Sequence, residues 1–116
     1  MKIKRIVPLL VCTVALILFT KYKIVIGMGD SMQPTYPRFK ILLCKKQKEY
    51  QIDDVISYKL DTHKVVHRIT AIIDDGVVIQ YQTKGDGNKT TDRYLITKTN
   101  IECKIIWKKI GGNNAR

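Results

Sequence analysis

Residues 6–20, IVPLLVCTVALILFT, form an apolar run relieved only by two threonines, directly behind the basic tetrad KIKR at 2–5. A hydrocarbon core takes about 20 residues of helix, so the run is short by itself. It spans a bilayer if Lys21 and Lys23 snorkel and the segment IVIGM, at 24–28, sits at the interface. A cleavable signal peptide has the same basic start and apolar centre, but Lys-Tyr-Lys follows here instead of a small-residue cleavage site. An uncleaved anchor is therefore expected. Lys2, Lys4 and Arg5 outnumber Lys21 and Lys23 beside the run, which by the positive-inside rule predicts a cytoplasmic amino terminus. The chain then divides into a cytoplasmic stub with its membrane anchor, 1–24, and an extracytoplasmic domain, 25–116.

A total of 116 residues leaves room for one compact unit beyond the anchor. Lys+Arg number 21 against 10 Asp+Glu, a formal charge of +11, which implies attraction to something acidic. Eighteen of those cations lie between residues 21 and 116, with Lys45, Lys46 and Lys48, and Lys104, Lys108 and Lys109, as candidate patches. Nucleic-acid binding would call for aromatics interleaved with the charges, and only Tyr50 and Trp107 are near. Anionic membrane lipid, or a plain solvated face, is the better reading, and no nucleic acid is expected. The three cysteines, Cys12, Cys44 and Cys103, match no C-x-x-C spacing, so neither a structural metal nor a cofactor is expected. Cys44 and Cys103 could pair in an oxidising compartment, but buried free thiols are the preferred reading.

The remaining sequence reads as strands. FKILLCK, DVISYKL, KVVHRITAII, GVVIQYQTK and NIECKIIW are short, rich in Val, Ile and Tyr, and separated by turn material such as DDG at 74–76 and GDGN at 85–88. IIDDGVVI is the clearest hairpin, with Asp75-Gly76 supplying the turn. A mostly β domain behind one amino-terminal transmembrane helix is the expected fold.

Ser31, within GMGDSMQPTY at 27–36, is a candidate nucleophile, but a serine hydroxyl needs a neighbouring base. The chain has two histidines, His63 and His67. On one strand they share a face about 13 Å apart, at roughly 3.3 Å per residue, so only one can reach Ser31. His63 falls at a strand entrance, where a solvated imidazole is expected; His67 falls inside VVHRITAII, where neighbours can hold its rotamer. A histidine base works best with a carboxylate that fixes its tautomer, and TKGDGNKTTDR offers Asp86 and Asp92. Taken singly, each of these features is equally compatible with a turn or a surface strand.

Together they resemble the type I signal peptidases, membrane-anchored serine proteases that remove signal peptides from exported proteins. GDSMQPT is similar to that family's serine box, DDVISY at 53–58 to the strand that follows, HRIT at 67–70 to the next box, and TKGDGN with Asp92-Arg93 to the last. Four segments in order, over about residues 6–93, carry the resemblance. Most bacterial members have a lysine base where His67 stands, so the chain resembles the endoplasmic-reticulum class, which also occurs in archaea and some Gram-positive bacteria. The resemblance implies a signal-peptidase-like antiparallel β core, Ser31 as nucleophile, His67 as base, and Asp92 as acidic partner with Asp86 in support. The two aspartates could exchange roles.

Two departures stand out. Many members carry a serine two positions before the nucleophile, whose hydroxyl helps hold the oxyanion; Gly29 is there instead. Only 17 residues separate His67 from Gly85, too few for the extra β-domain that larger members insert, so a minimal catalytic core is expected. The implied partners are signal peptides of preproteins with small side chains at the positions one and three before the cut. Two other readings compete: a catalytically inactive, membrane-tethered β-module that binds a protein or lipid, and a self-cleaving-repressor-like protease.

Overall fold

The computed structural model of the chain describes residues 2–110. Helix α1, Lys2–Lys21, contains the apolar run, and from Ile3 to Lys21 it is long and apolar enough to cross a membrane, with none of its described residues buried. The chain passes from it directly into strand β1, Tyr22–Met28. The IVIGM segment is part of this strand, Ile24–Leu43 and Ile26–Ile41 being direct cross-strand pairs with β2.

Six further strands follow: β2 (Phe39–Lys45), β3 (Val55–Leu60), β4 (His63–Asp74), β5 (Ile79–Lys84), β6 (Leu95–Thr97) and β7 (Ile101–Ile110). They make one antiparallel sheet in the order β1-β2-β7-β3-β4-β5-β6. The expected mostly β architecture is therefore observed, with β1 and β6 as the strands that the sequence pattern did not reveal. The side chains of Lys108 and Lys109, two of the three lysines of one candidate basic patch, lie outside the described residues.

Alternation decides which face each strand buries. On β2, Lys40, Leu42 and Cys44 point inward and Phe39, Ile41 and Leu43 outward. Central β3 is buried on both faces over Val55–Tyr58. Val55 joins Val25, Met32, Leu42, Cys103 and Ile105 in one apolar cluster, whereas Ile56 and Tyr58 join Ile69, Tyr81, Ile96 and Ile101 in another. β1 and β4 line one cleft although they are not neighbours in the sheet.

The hairpin at 74–79 forms, but β5 begins at Ile79 and not at Gly76. Asp74 Oδ1 accepts from the Gly76 amide, and Asp75 Oδ1 accepts from the amides of Val77 and Val78, each at 2.9 Å. These side-chain bonds occupy donors that a strand ladder would otherwise use. Only Gly76 takes a positive φ, 87°.

The expectation of free thiols is overturned: Cys44 and Cys103 form a disulfide between β2 and β7, with Cα atoms 5.5 Å apart. A β-bulge between Leu43 and Cys44 shifts the register so that Cys44 opposes Ile105, and Cys103 stands two residues along on the same buried face. Spacing along the chain carries no record of such a register shift.

Candidate active site

Ser31 lies in the connection between β1 and β2. Gly29 opens it, its amide donating to the Arg38 carbonyl at 2.9 Å, and the Gln33 amide closes a turn onto the Asp30 carbonyl at 3.0 Å. Gly29 has φ +118°, a region costly for any side chain. Met32, fully buried, pins the turn into the core and leaves its neighbour Ser31 half-buried.

His67 is delivered by β4, opposite Ile56 on β3, and is buried, whereas His63 at the start of the same strand is exposed. His67 Nδ1 lies 2.7 Å from Asp92 Oδ2. A carboxylate can only accept here, so Nδ1 carries the proton and Nε2 is left with a free lone pair. The Asp92 oxygen also accepts from Thr83 Oγ1 at 2.6 Å and from the Tyr58 hydroxyl at 3.2 Å, and Tyr58 is in turn 2.8 Å from the Tyr94 hydroxyl. Burial pushes the Asp92 carboxyl up, but the bonds from Thr83 and His67 outweigh it, and its pKa lies below the ordinary 3.8. The Tyr58 hydroxyl is pushed far up by burial and stays a donor.

The loop after β5 packs against the serine turn from the other side. The Gly87 amide donates to the Ser31 carbonyl at 2.7 Å. A Cβ on Gly85 would stand 2.5 Å from the Ser31 carbonyl oxygen and 3.0 Å from His67 Nε2, so the Ser31 backbone and His67 both approach Gly85 closely. Ser31 and His67 line a single cleft of about 370 Å³ with Val25–Met28 of β1, Lys64–Val66 of β4, Lys40 and Tyr94. Among the described residues no hydrogen bond joins Ser31 Oγ to His67; such bonds commonly tighten only when substrate is bound.

Asp86 does not touch His67. Its two oxygens take Arg68 in a bidentate pair, at 2.9 and 2.7 Å, and Thr35 Oγ1 donates to it at 2.5 Å. Burial raises the Asp86 carboxyl, but the Arg68 guanidinium and Thr35 bring its pKa below the ordinary value. Arg68 NH1 continues to the Asp53 carbonyl at 2.9 Å, so this unit ties β4, the serine turn and the loop after β5 together. Of the residues expected from sequence, Ser31, His67 and Asp92 come together, and Asp86 sits behind them as a clamp. Tyr58, Thr83 and Tyr94 were missed: the first two are strand hydroxyls that look like ordinary β-formers until pairing shows which face they occupy, and Tyr94 stands in the loop just before β6.

A serine and a histidine thus line one cleft, and a carboxylate holds the histidine through Nδ1. No family model matches the chain. Over 81 residues it is 31% identical to Signal peptidase I W of Bacillus subtilis (strain 168), an alignment that covers 66% of this chain and 43% of the relative. The chain thus matches less than half the length of that relative. The similarity marks a signal-peptidase-like relationship, and helix α1 is long and apolar enough to cross a membrane.

Proposed function

We propose that the chain is a membrane-bound serine endopeptidase that removes signal peptides from exported preproteins, with Ser31 as nucleophile, His67 as base and Asp92 as its acidic partner. The observation that carries this is the His67–Asp92 contact of 2.7 Å through Nδ1, on a cleft that Ser31 and His67 both line. Asp86 acts behind the site, through Arg68 and Thr35. Residues 1–24 serve as stub and anchor and 25–116 as the extracytoplasmic peptidase domain, the amino terminus lying in the cytoplasm.

The cleft supports an extended substrate. β1 is an edge strand, and Lys64–His67 of β4 pair only with β3 in the ladder, because β5 joins β4 from Arg68 onward. Two strand edges therefore flank the Ser31 cleft, and a peptide backbone can pair between them. His67 Nε2 takes the Ser31 proton as Oγ attacks the scissile carbonyl. The tetrahedral intermediate collapses to an acyl-enzyme as His67 returns the proton to the leaving amine, and a water activated by His67 then releases the acid.

A lipid-facing position is supported by the outer face of the sheet. Ile24, Ile26 and Met28 of β1 are 64%, 65% and 77% exposed, and Phe39 and Trp107 continue the apolar surface across β2 and β7. Phe19 of α1, Ile24 and Leu43 line one hollow together with Tyr22 and Lys23, so this face adjoins the anchor. Such a patch on a soluble protein would be a liability. Incubating the detergent-purified protein with a preprotein, and reading the new amino terminus of the product, tests the proposal. Release of the mature protein is expected, and an intact preprotein after prolonged incubation contradicts it.

A further inference from the structure

Lys40 occupies a position where strand alternation calls for an apolar residue. It points inward on β2 in line with Leu42 and Cys44 and is 4% exposed. Gly27, directly opposite on β1, makes the room: a Cβ there would meet Lys40 Cε at 2.8 Å and Cγ at 3.3 Å. The stem thus lies across β1, and Nζ donates to the Gly29 carbonyl at 3.1 Å. Among the described residues no carboxylate comes within ion-pair distance of it, although Asp30 exerts a weaker pull through space. Burial pushes its pKa below the ordinary lysine value, with Asp30 acting against that. An unpaired buried ammonium is costly, and core packing gives no reason to retain one. Nζ has three N–H groups, of which Gly29 takes one, and Lys40 forms part of the wall of the cleft that holds Ser31 and His67.

Attack on a carbonyl creates an oxyanion that serine hydrolases hold with two donors. The Ser31 amide is one available donor. Gly29 supplies no side chain, and its φ of +118° opposes replacement by one. We propose that Lys40 is a catalytic residue, its ammonium donating the second hydrogen bond to the oxyanion. As Ser31 Oγ bonds to the carbonyl carbon and its proton passes to His67, the C=O π pair moves to oxygen, and that oxygen is held by the Ser31 N–H and Lys40 Nζ. The Gly29 carbonyl anchors the ammonium in place. This inference rests on the serine-peptidase reading above.

The test uses the full chain in detergent with a preprotein as substrate, and two peptides as ligands: an Ala-X-Ala aldehyde, which forms a hemiacetal on a serine, and the corresponding unreactive amide. Lys40→Met is expected to lower kcat about 10²- to 10³-fold with KM little changed. It should weaken aldehyde binding by a similar factor and leave amide binding intact. Gly27→Ala, which displaces the Lys40 stem while keeping its charge, should also lower kcat. Adding Lys40→Met to Gly27→Ala should then cost much less than in the wild type, as expected for coupled residues. A Lys40→Met protein with wild-type kcat overturns the inference, as does an equal loss of aldehyde and amide binding, which would mean a structural role. A wild type that fails to cleave overturns the serine-peptidase reading itself, and this inference with it.

Discussion

Asp92 and His67 meet through a single carboxylate oxygen, Oδ2, which lies 2.7 Å from Nδ1 and also receives the hydroxyls of Thr83 and Tyr58. That oxygen is held from three sides, so the imidazole it bonds is held in one tautomer. Asp92→Asn should therefore lower kcat about 10⁴-fold in the molecules that remain folded, since the amide can present its NH2 to Nδ1 and favour the wrong tautomer. Preprotein turnover measured beside a thermal melt checks this. A variant that retains full turnover removes Asp92 from the mechanism.

Asp86 predicts a different outcome. Its carboxylate bridges Arg68 and Thr35, away from the imidazole. Asp86→Ala should destabilise the fold by about 2 kcal/mol, the scale of lost hydrogen bonds to a charged group. Activity per folded molecule should fall less than in Asp92→Asn. Chemical denaturation and turnover, compared across both variants, distinguish the clamp from the catalytic partner.

The two carboxyls also set an acid limit to stability. Both have folded pKa values below the ordinary 3.8, so the unfolded chain binds more protons in that range. The stability they contribute is complete above the ordinary carboxylate value and is lost as pH falls through it toward the lower folded values. The exposed Asp75, held low by the Val78 and Val77 amides, titrates in the same direction. Melting temperature should stay level down to about pH 5 and then fall. Asp86→Asn with Asp92→Asn should flatten that fall, and an unchanged acid limb would contradict it.

Gly85 reads geometry alone. A methyl there meets the Ser31 carbonyl at 2.5 Å and His67 Nε2 at 3.0 Å, and the first of these is backbone that cannot step aside. Gly85→Ala should separate serine from imidazole and lower kcat about 10²-fold, the scale of a 1 Å misplacement. Wild-type kinetics in this variant would show that the two groups are not set by that contact.

The disulfide predicts a stability difference and no catalytic one. Cys44 and Cys103 are 59 residues apart, and closing a loop of that length restricts the unfolded chain by about 4 kcal/mol. Replacing both by serine should lower the melting temperature markedly while turnover at low temperature persists. An unchanged melt would show that the link contributes nothing.

How much of this was legible follows from which signals are local. Hydrophobic runs, the Asp-Gly turn and the order Ser31, His67, Asp92 are written along the chain, and the antiparallel sheet and the shared cleft agree with them. Register is not local. Which of Asp86 and Asp92 meets His67 depends on the strand pairing that sets Thr83 beside Ile69 and on the Asp92 amide donating to the Thr83 carbonyl at 2.8 Å. The Cys44–Cys103 link depends on a bulge in the β2–β7 pairing. β1 was hidden because its outward residues, Ile24, Ile26 and Met28, are as apolar as its buried Val25, which removes the alternation that marks a strand. Lys40 was hidden for the opposite reason: a lysine in a strand reads as solvated until Gly27 is found across from it.

The central claim, that Ser31 and His67 perform peptide hydrolysis on preproteins, is tested most directly by one comparison in detergent. Preprotein cleavage is measured for the wild type, Ser31→Ala and His67→Ala under the same conditions. The account predicts correct processing by the wild type and at least a 10³-fold loss in each variant, in line with the removal of a nucleophile or its base. Cleavage that survives Ser31→Ala at the wild-type rate would contradict it.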